Sequence, residues 1–595
     1  MLHFPWHAAR DPQAGGYLKA LVRTLIDAGV PFNERTVSGN TTLDKLIRSL
    51  YLDDEDRREG PPPFNPWLGV LDMLLTSGGY LNSVVAAKNN WAWSFSASQA
   101  ARFLLQNNYD GFEFLEIEIA ILSRSAMSLE RCLMTQDYHH TNDVLVTRYF
   151  TLLDLCLGWP EGLVILLESP LRHLYPTDPD DPTALDDRIG DCFEDACDEG
   201  EIECALILVK YIECVDPEHL RAAARRKDVA ILTEVISALA DARRKLQQLA
   251  LECLPHQDLC LLSLPTSALL DTKAFDVYEK LESYGIEVQP CFYDRPSIYG
   301  FAEFDIAIFE RLYEAGFTDF KQCDADSVTT LMVLPWYDYE SPPAPFSFIN
   351  GANWLVCRGA SLYQLSPDGF PSSFYLARCF GHTLRVWYRL PQGRREGPMS
   401  LMEKQHVDAK KFFCLLMTDG NQDDCLCTCS THGCTSIQQT LRGFYTPWPD
   451  RVNERTCIIA ITAMIDGLLA FSPEPVSDDQ KLNIVQRILR YITFEALELT
   501  HTCHIKDDPV YFEWDEMTFK RMDAGDVLEV REEEATLIHQ LDQLMAEFSQ
   551  KYNELGLDLH DFIREYWKGR LDEVLTEEVD PEEAERVRAL GAILT

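Results

Sequence analysis

Apolar residues along this chain recur mainly at intervals of three and four, the spacing that lines one face of an α-helix. Between residues 20 and 29, Leu21, Val22, Leu25 and Ile26 share such a face. Gly29 then stands where a helix stops in a left-handed turn. Toward the C-terminal end, Leu537, Leu541, Leu544 and Phe548 make a second stripe, and Glu532 to Glu534 before it favour a helix start through the dipole. Apolar positions continue through Tyr552, Leu555, Leu559, Phe562, Ile563 and Trp567, and Gly556 predicts a break between two helices. That pairing reads as a helical hairpin; the rival reading, a partner-binding coiled coil, has only a short seam to support it. The periodicity predicts an all-α fold.

Helix and turn recur together. The segments LVRTLIDAGVPFN and SGNTTLDKL surround Gly29; FERLYEAGFTDF and DSVTTLMVL surround Gly316; NWLVCRGASLYQLSPDGF surrounds Gly359 and VYEKLESYGIEV ends at Gly285. These resemble the second helix, turn and Thr-Pro-Leu-His first helix of ankyrin repeats. The match is degenerate: Thr42 stands for the family's Pro and Asp44 for its His. Gly285 to Gly316 spans 31 residues and Gly316 to Gly359 spans 43, against a family period of about 33. The longer interval holds the Pro-rich insertion Tyr339 to Pro345, which reads as a loop between repeats. Weaker echoes occur at Leu68 to Gly78, and in Asp191 to Ile212 paired with Leu220 to Ala238. The resemblance implies a repeat solenoid, in which each helix pair shelters the apolar faces of its neighbours. The alternative is an irregular helical domain with helices about 30 residues apart.

Charged, Pro-rich stretches at Asp53 to Pro63 and Pro176 to Pro182 read as exposed loops, and Gln392 to Pro398 is a short basic one. They suggest N-terminal repeats over 1–175, central repeats over 183–420, a Cys-rich turn at 421–445 and an acidic helical region over 446–595. Within the last, Glu577 to Glu585 reads as solvated surface.

Charge narrows the partners. The chain has 53 Lys and Arg against 95 Asp and Glu, a formal net of -42, which repels nucleic-acid phosphate and anionic lipid. No nucleic acid or membrane partner is expected; the expected partner is another protein, meeting this surface through a basic patch. The opening Met1 to Trp6 stretch lacks a basic start and apolar run, and no segment reaches about 18 uncharged apolar residues. An intracellular, non-secreted protein is expected. Most of the 19 cysteines stand alone in helical contexts, such as Cys132, Cys156, Cys204 and Cys357, and read as buried small hydrophobes.

Residues 425–434 are the exception, holding Cys425, Cys427, Cys429, His432 and Cys434. Thiolates so close repel unless a cation neutralises them, and Zn²⁺ takes four such ligands tetrahedrally. A CxC pair in extended chain turns both side chains the same way and can chelate one ion or bridge two. The run sits where an ankyrin turn is expected, enlarged by about three residues. A bound ion can order such a turn, since structural zinc contributes an apparent ~10–16 kcal/mol. Further ligands follow at His501, Cys503 and His504. The run together with Leu-Thr-His-Thr-Cys at 499–503 resembles a pattern in uncharacterised fungal proteins with degenerate ankyrin repeats, a resemblance that carries no activity with it. The expected zinc tetrad is Cys427, Cys429, Cys434 and Cys503, with Cys425, His432, His501 and His504 competing; unligated reduced cysteines, redox disulfides and a thiolate cluster are the alternatives.

The spacing of Cys427, Cys429 and Cys434 is also similar to the zinc segment that follows SET methyltransferase domains. That family's Asn-His-x-Cys and Glu-Leu-x-Tyr-Asp-Tyr motifs are missing. No nucleotide loop, dinucleotide fingerprint, hydrolase elbow, zincin helix or kinase signature occurs either. His139 and His140 beside Asp137 and Asp143 read as a polar loop. The expectation is a non-enzymatic interaction scaffold with a structural zinc site; the alternative is a zinc-dependent enzyme using the Cys/His cluster.

Overall fold

The computed structural model describes residues 12–29, 70, 73–74, 116–135, 152–169, 184–288, 297–323, 328–333, 345–366, 369–389, 416, 422–423, 425–445, 462, 477–503 and 522–576. The readings at Gly39, residues 53–63, 137–143, 176–182, 392–398 and 577–585, and at His504, lie outside them. The described chain is mostly helical, and its only β pairing consists of two isolated bridges. It divides into two compact units: Met1–Leu259 with Tyr278–Asp294 and Phe301–Glu303, and Cys260–Val277 with Arg295–Gly300 and Phe304–Thr595.

The first unit holds α1 (Pro12–Asp27), α2 (Glu116–Leu122), α3 (Ala126–Thr135), α4 (Pro160–Leu167), α5 (Ala184–Glu199), α6 (Ile202–Leu208), α7 (Pro217–Arg226) and α8 (Val229–Cys253). Packing joins α2 to α3, α3 to α4, α4 to α6, α5 to α6 and α7, and both α6 and α7 to α8. The stripe on α1 is only partly covered, with Val22 buried and Leu21 exposed. The stretch 191–212 is two helices rather than one, broken at left-handed Gly200. Residues 220–238 also divide: Lys227 takes a left-handed cap, and the Asp228 carboxylate accepts from the amides of Ala230 and Ile231 to start α8. Cys132, Cys156, Cys192, Cys197 and Cys204 are buried, and the Cys192 thiol donates to the Asp154 carboxylate at 3.1 Å. Cys357, expected among them, is exposed: it lies two residues past buried Leu355, a turn of some 200° round the helix.

Helices α9 (His256–Leu261) and α10 (Ala274–Ser283) are divided between the units. The second unit continues with α11 (Ile306–Ala315), α12 (Thr330–Val333), α13 (Pro345–Cys357), α14 (Ser372–Arg389), α15 (Ser436–Tyr445) and α16 (Asp478–Ala496). Then come α17 (Ala524–Glu533), α18 (Ala535–Leu555), α19 (Leu559–Phe562), a π turn (Ile563–Trp567) and α20 (Lys568–Thr576). Helices of this unit pack α11 on α13, α12 and α13 on α14, α14 on α15, α15 on α16, and α16 on α18; the most extensive pairing, α14 on α15, joins helices with residues 390–435 between them in sequence.

Gly29, Gly285, Gly316 and Gly359 all follow helices and all have positive φ, at 73°, 70°, 119° and 106°. After the last three, the next amide reaches the carbonyl five residues back: Ile286 to Leu281 at 3.1 Å, Phe317 to Leu312 at 3.2 Å and Ala360 to Leu355 at 3.1 Å. Those three leucines are each fully buried. A left-handed residue closes the helix and an equivalent apolar side chain anchors it, so these three ends are one local structure repeated. Following turns are also alike: Cys323 bridges Thr329 and Leu365 bridges Pro371, each just ahead of a new helix. Gly556, with φ 62°, caps α18. Beyond it Phe562 meets Phe548, and Tyr566 and Arg570 bond Glu547 at 2.7 and 3.0 Å, so the C-terminal stripe closes as a hairpin. Trp567 donates to Thr493 at 2.9 Å, seating that hairpin on α16.

Candidate metal centre

The Cys run lies immediately before α15, and the 499–503 segment follows α16. Both turns are fixed by short-range bonds. The Asp423 amide donates to the Cys434 carbonyl at 3.0 Å, and the Cys434 amide donates to the Asp423 carboxylate at 2.6 Å. Gly433, φ 99°, makes this close approach possible. At the start of α15, Gln438 accepts from the Thr435 amide at 3.0 Å. After α16, Glu498 takes φ 56° and the Leu499 amide reaches the Phe494 carbonyl at 3.3 Å, the same cap as at the glycines. That reversal returns His501 and Cys503 toward the Cys run. Arg490 of α16 ties the Cys run to its own helix and to α18, donating to the Thr428 carbonyl at 2.9 Å and to Asp542 at 2.9 Å.

Cys427, Cys429, His501 and Cys503 offer ligand atoms that all lie within 4.8 Å of one another. His501 Nδ1 is 3.8 Å from Cys427 Sγ and 3.7 Å from Cys503 Sγ. A tetrahedral zinc with bonds near 2.3 Å to sulfur and 2.0 Å to nitrogen has sulfur–nitrogen edges of about 3.6 Å and sulfur–sulfur edges of about 3.8 Å. The observed imidazole–thiol separations fall within a few tenths of an ångström of that edge. The three cysteines are buried, at 2%, 0% and 3% exposure, so four protein donors close round the point between them. Asp423, Cys425 and Cys434 form a second group, again with ligand atoms within 4.8 Å. It abuts the first, since Cys429 Sγ is 3.5 Å from Cys434 Sγ, which is itself 3.4 Å from Cys425 Sγ.

The surroundings suit anionic sulfur. The Thr502 amide points at Cys427 Sγ from 3.4 Å, the Cys434 amide at Cys425 Sγ from 3.3 Å, and Arg442 stands 3.9 Å from Cys503 Sγ. His501 Nε2 lies 2.6 Å from Glu495, which assigns the ring proton to Nε2 and leaves the Nδ1 lone pair facing the thiols. Phe494 and Tyr491 hold that ring, with centroids 4.6 and 5.5 Å away.

Proton affinities divide across the cluster. Hydrogen bonds from neighbouring thiols pull Cys425 and Cys427 down, whereas Cys429, Cys434 and Cys503 are pushed up, chiefly by their hydrogen bonds to those two sulfurs. Burial, then the Cys425 thiol, raises Asp423 to about 7. Burial lowers His501, but the bond to Cys427 and the Glu495 carboxylate outweigh it and raise its affinity for a proton. The pocket thus takes its first negative charges readily and resists the rest, a resistance that a bound divalent cation removes.

Of the residues expected as ligands, Cys427, Cys429 and Cys503 come together with His501, while Cys434 sits with Cys425. His432 is exposed and belongs to neither group. Asp423, Glu495 and Arg442 escaped the sequence reading. Only Asp423 left a signal, because it extends the alternation of Cys425, Cys427 and Cys429 by one step. No protein-family model matches this chain, and a search of curated proteins gives no match either.

Proposed function

We propose that the chain is a non-enzymatic protein–protein interaction scaffold of degenerate ankyrin-like repeats, with the Cys/His centre binding zinc structurally. One feature supports the repeat part: three helix ends share one capping geometry with an equivalent buried leucine. Stacked repeats of this kind offer turns and a helical face to other proteins. The formal charge of -42 favours a partner with a basic patch.

One observation carries the structural reading of the metal: Cys427, Cys429, His501 and Cys503 supply four donors, three of them buried. Four protein ligands saturate a tetrahedral ion and leave no position for a reacting water, which a zinc-dependent enzyme requires. The test is a cobalt-substituted protein titrated with cyanide and azide. Unchanged visible bands support a closed structural ion; a shift reveals an exchangeable position and favours the enzyme. For the scaffold, binding of a captured partner weakens as salt rises, because exposed charge is screened. Salt-independent binding overturns the electrostatic part.

A further inference from the structure

We propose that the centre holds two divalent ions, joined by the thiolate of Cys429. This rests on reading the Cys427, Cys429, His501 and Cys503 group as a metal site, and adds a second ion at Asp423, Cys425 and Cys434.

Donor number is the first argument. Two four-coordinate ions that share one ligand need seven donors, and the two adjoining groups supply seven: one carboxylate, one imidazole and five thiols. A lone four-coordinate ion leaves three of them without a role. The three are not loosely placed. Cys425 Sγ and Cys434 Sγ are 3.4 Å apart, and Cys434 is 1% exposed. The Cys434 amide donates both to Asp423 Oδ1 at 2.6 Å and to Cys425 Sγ at 3.3 Å, the outer bonding that steadies metal ligands.

Connectivity selects the bridge. Cys429 belongs to the first group and its Sγ lies 3.5 Å from Cys434 Sγ of the second, so it borders both groups at once. The first ion takes Cys427, Cys429, His501 and Cys503; the second takes Asp423, Cys425, Cys434 and Cys429. A bridging thiolate donates two lone pairs, one to each ion. Charge points the same way. The centre has six acidic ligands; one divalent ion leaves a net of roughly −4 in a buried pocket and two leave roughly −2. Soft thiolates with one imidazole and one carboxylate suit zinc, and cadmium or cobalt can stand in for it.

The test uses the full chain, purified under reducing conditions without chelator, with metal counted by mass spectrometry. We expect two zinc equivalents in the wild type. After exchange, two ¹¹³Cd resonances of different ligand environment should couple to each other through the shared sulfur. Cys425→Ser and Asp423→Asn should each lower the ratio to one and leave one uncoupled resonance, with helix content unchanged in circular dichroism. A wild-type ratio of one that neither variant alters overturns the second ion and leaves the first site standing. A ratio of one with a mass two hydrogens lower and a Cys425–Cys434 peptide link overturns it in favour of a disulfide. A ratio of zero removes both sites. If both variants unfold, the wild-type spectrum decides: one resonance, or two without coupling, refutes the bridge.

Discussion

Gly433→Ala tests the centre without touching a ligand. Gly433 has φ 99°, and a Cβ built there meets the Asp423 carbonyl oxygen at 1.9 Å and its carbon at 2.9 Å. Those are backbone atoms, so rotating a side chain cannot relieve the overlap. Left-handed backbone costs an alanine about 1 kcal/mol. Moving Asp423 away then loses its amide bond to the Cys434 carbonyl, about 1 kcal/mol, and the Cys434 amide bond to its carboxylate, about 2 kcal/mol. The sum of about 4 kcal/mol corresponds to roughly a thousandfold weaker retention of metal. Gly359→Ala is the control: its φ is 106°, but nothing lies within 4 Å of an added Cβ. It should cost about 1 kcal/mol in stability and change metal affinity less than threefold. Competition against a chromophoric chelator measures the affinities, and urea unfolding measures the stabilities. Metal retention by Gly433→Ala within tenfold of wild type refutes the assignment of this turn as the frame of the site.

Glu495→Ala removes the carboxylate that holds His501 Nε2 at 2.6 Å and should weaken metal binding 10- to 100-fold, read by the same competition; an unchanged affinity means His501 is not a ligand. Arg490→Met loses the 2.9 Å bond to the buried Thr428 carbonyl and should destabilise by about 2 kcal/mol in urea. Asp542→Asn, on the exposed side of the same guanidinium, should cost under about 0.5 kcal/mol, and equal effects would contradict this division. In the first unit, His219 Nδ1 stands 2.7 Å from the Asp216 carboxylate and 3.1 Å from its amide; a proton on Nδ1 satisfies the shorter contact. Burial lowers the His219 proton affinity, but the Asp216 bond and charge, with Glu194 and Asp186 also facing the ring, leave it raised above 6.5. Its contribution is therefore complete below about pH 6.5 and is lost as pH climbs through the higher folded value. Asp216 is lowered despite burial, so its own contribution persists above about pH 4 and fades in acid. Hydrogen exchange in α7 should accelerate between pH 6 and 8 beyond the intrinsic rate, and His219→Gln should abolish that excess. A flat profile would refute the charged pair.

The parts legible in the sequence are those encoded locally. Gly285, Gly316 and Gly359 announced their caps because few residues other than glycine accept that backbone, and Gly556 marked the end of α18 for the same reason. Arg124 and Glu498 carry the same cap on ordinary side chains, so nothing in their chemistry gave them away. Cys357 misled because an isolated cysteine reads as buried until the register of its helix is known. The centre was legible as a concentration of thiols, but not as two groups. Alternation through Cys425, Cys427 and Cys429 assumes extended chain, whereas residues 428 and 429 form a turn that redirects the run. His501 and Cys503 join from more than 70 residues away, a pairing fixed by how α15 and α16 pack rather than by spacing.

That long reach gives the ion its physical weight. Part of a fold can open locally without unfolding throughout, and α15 and α16 each have their own packing partners. A metal bond between Cys427 and Cys503 spans 76 residues, and a link over a loop of about that length removes roughly 4 kcal/mol of entropy from the open ensemble. The link also spans α15 and α16 together, so opening either one alone strains the centre and the two become one cooperative block. Hydrogen exchange should find α15 and α16 opening with the same free energy in the metal-bound chain and with separate, lower values after chelation. Independent opening with metal bound would show that packing alone, and not the centre, holds these helices together.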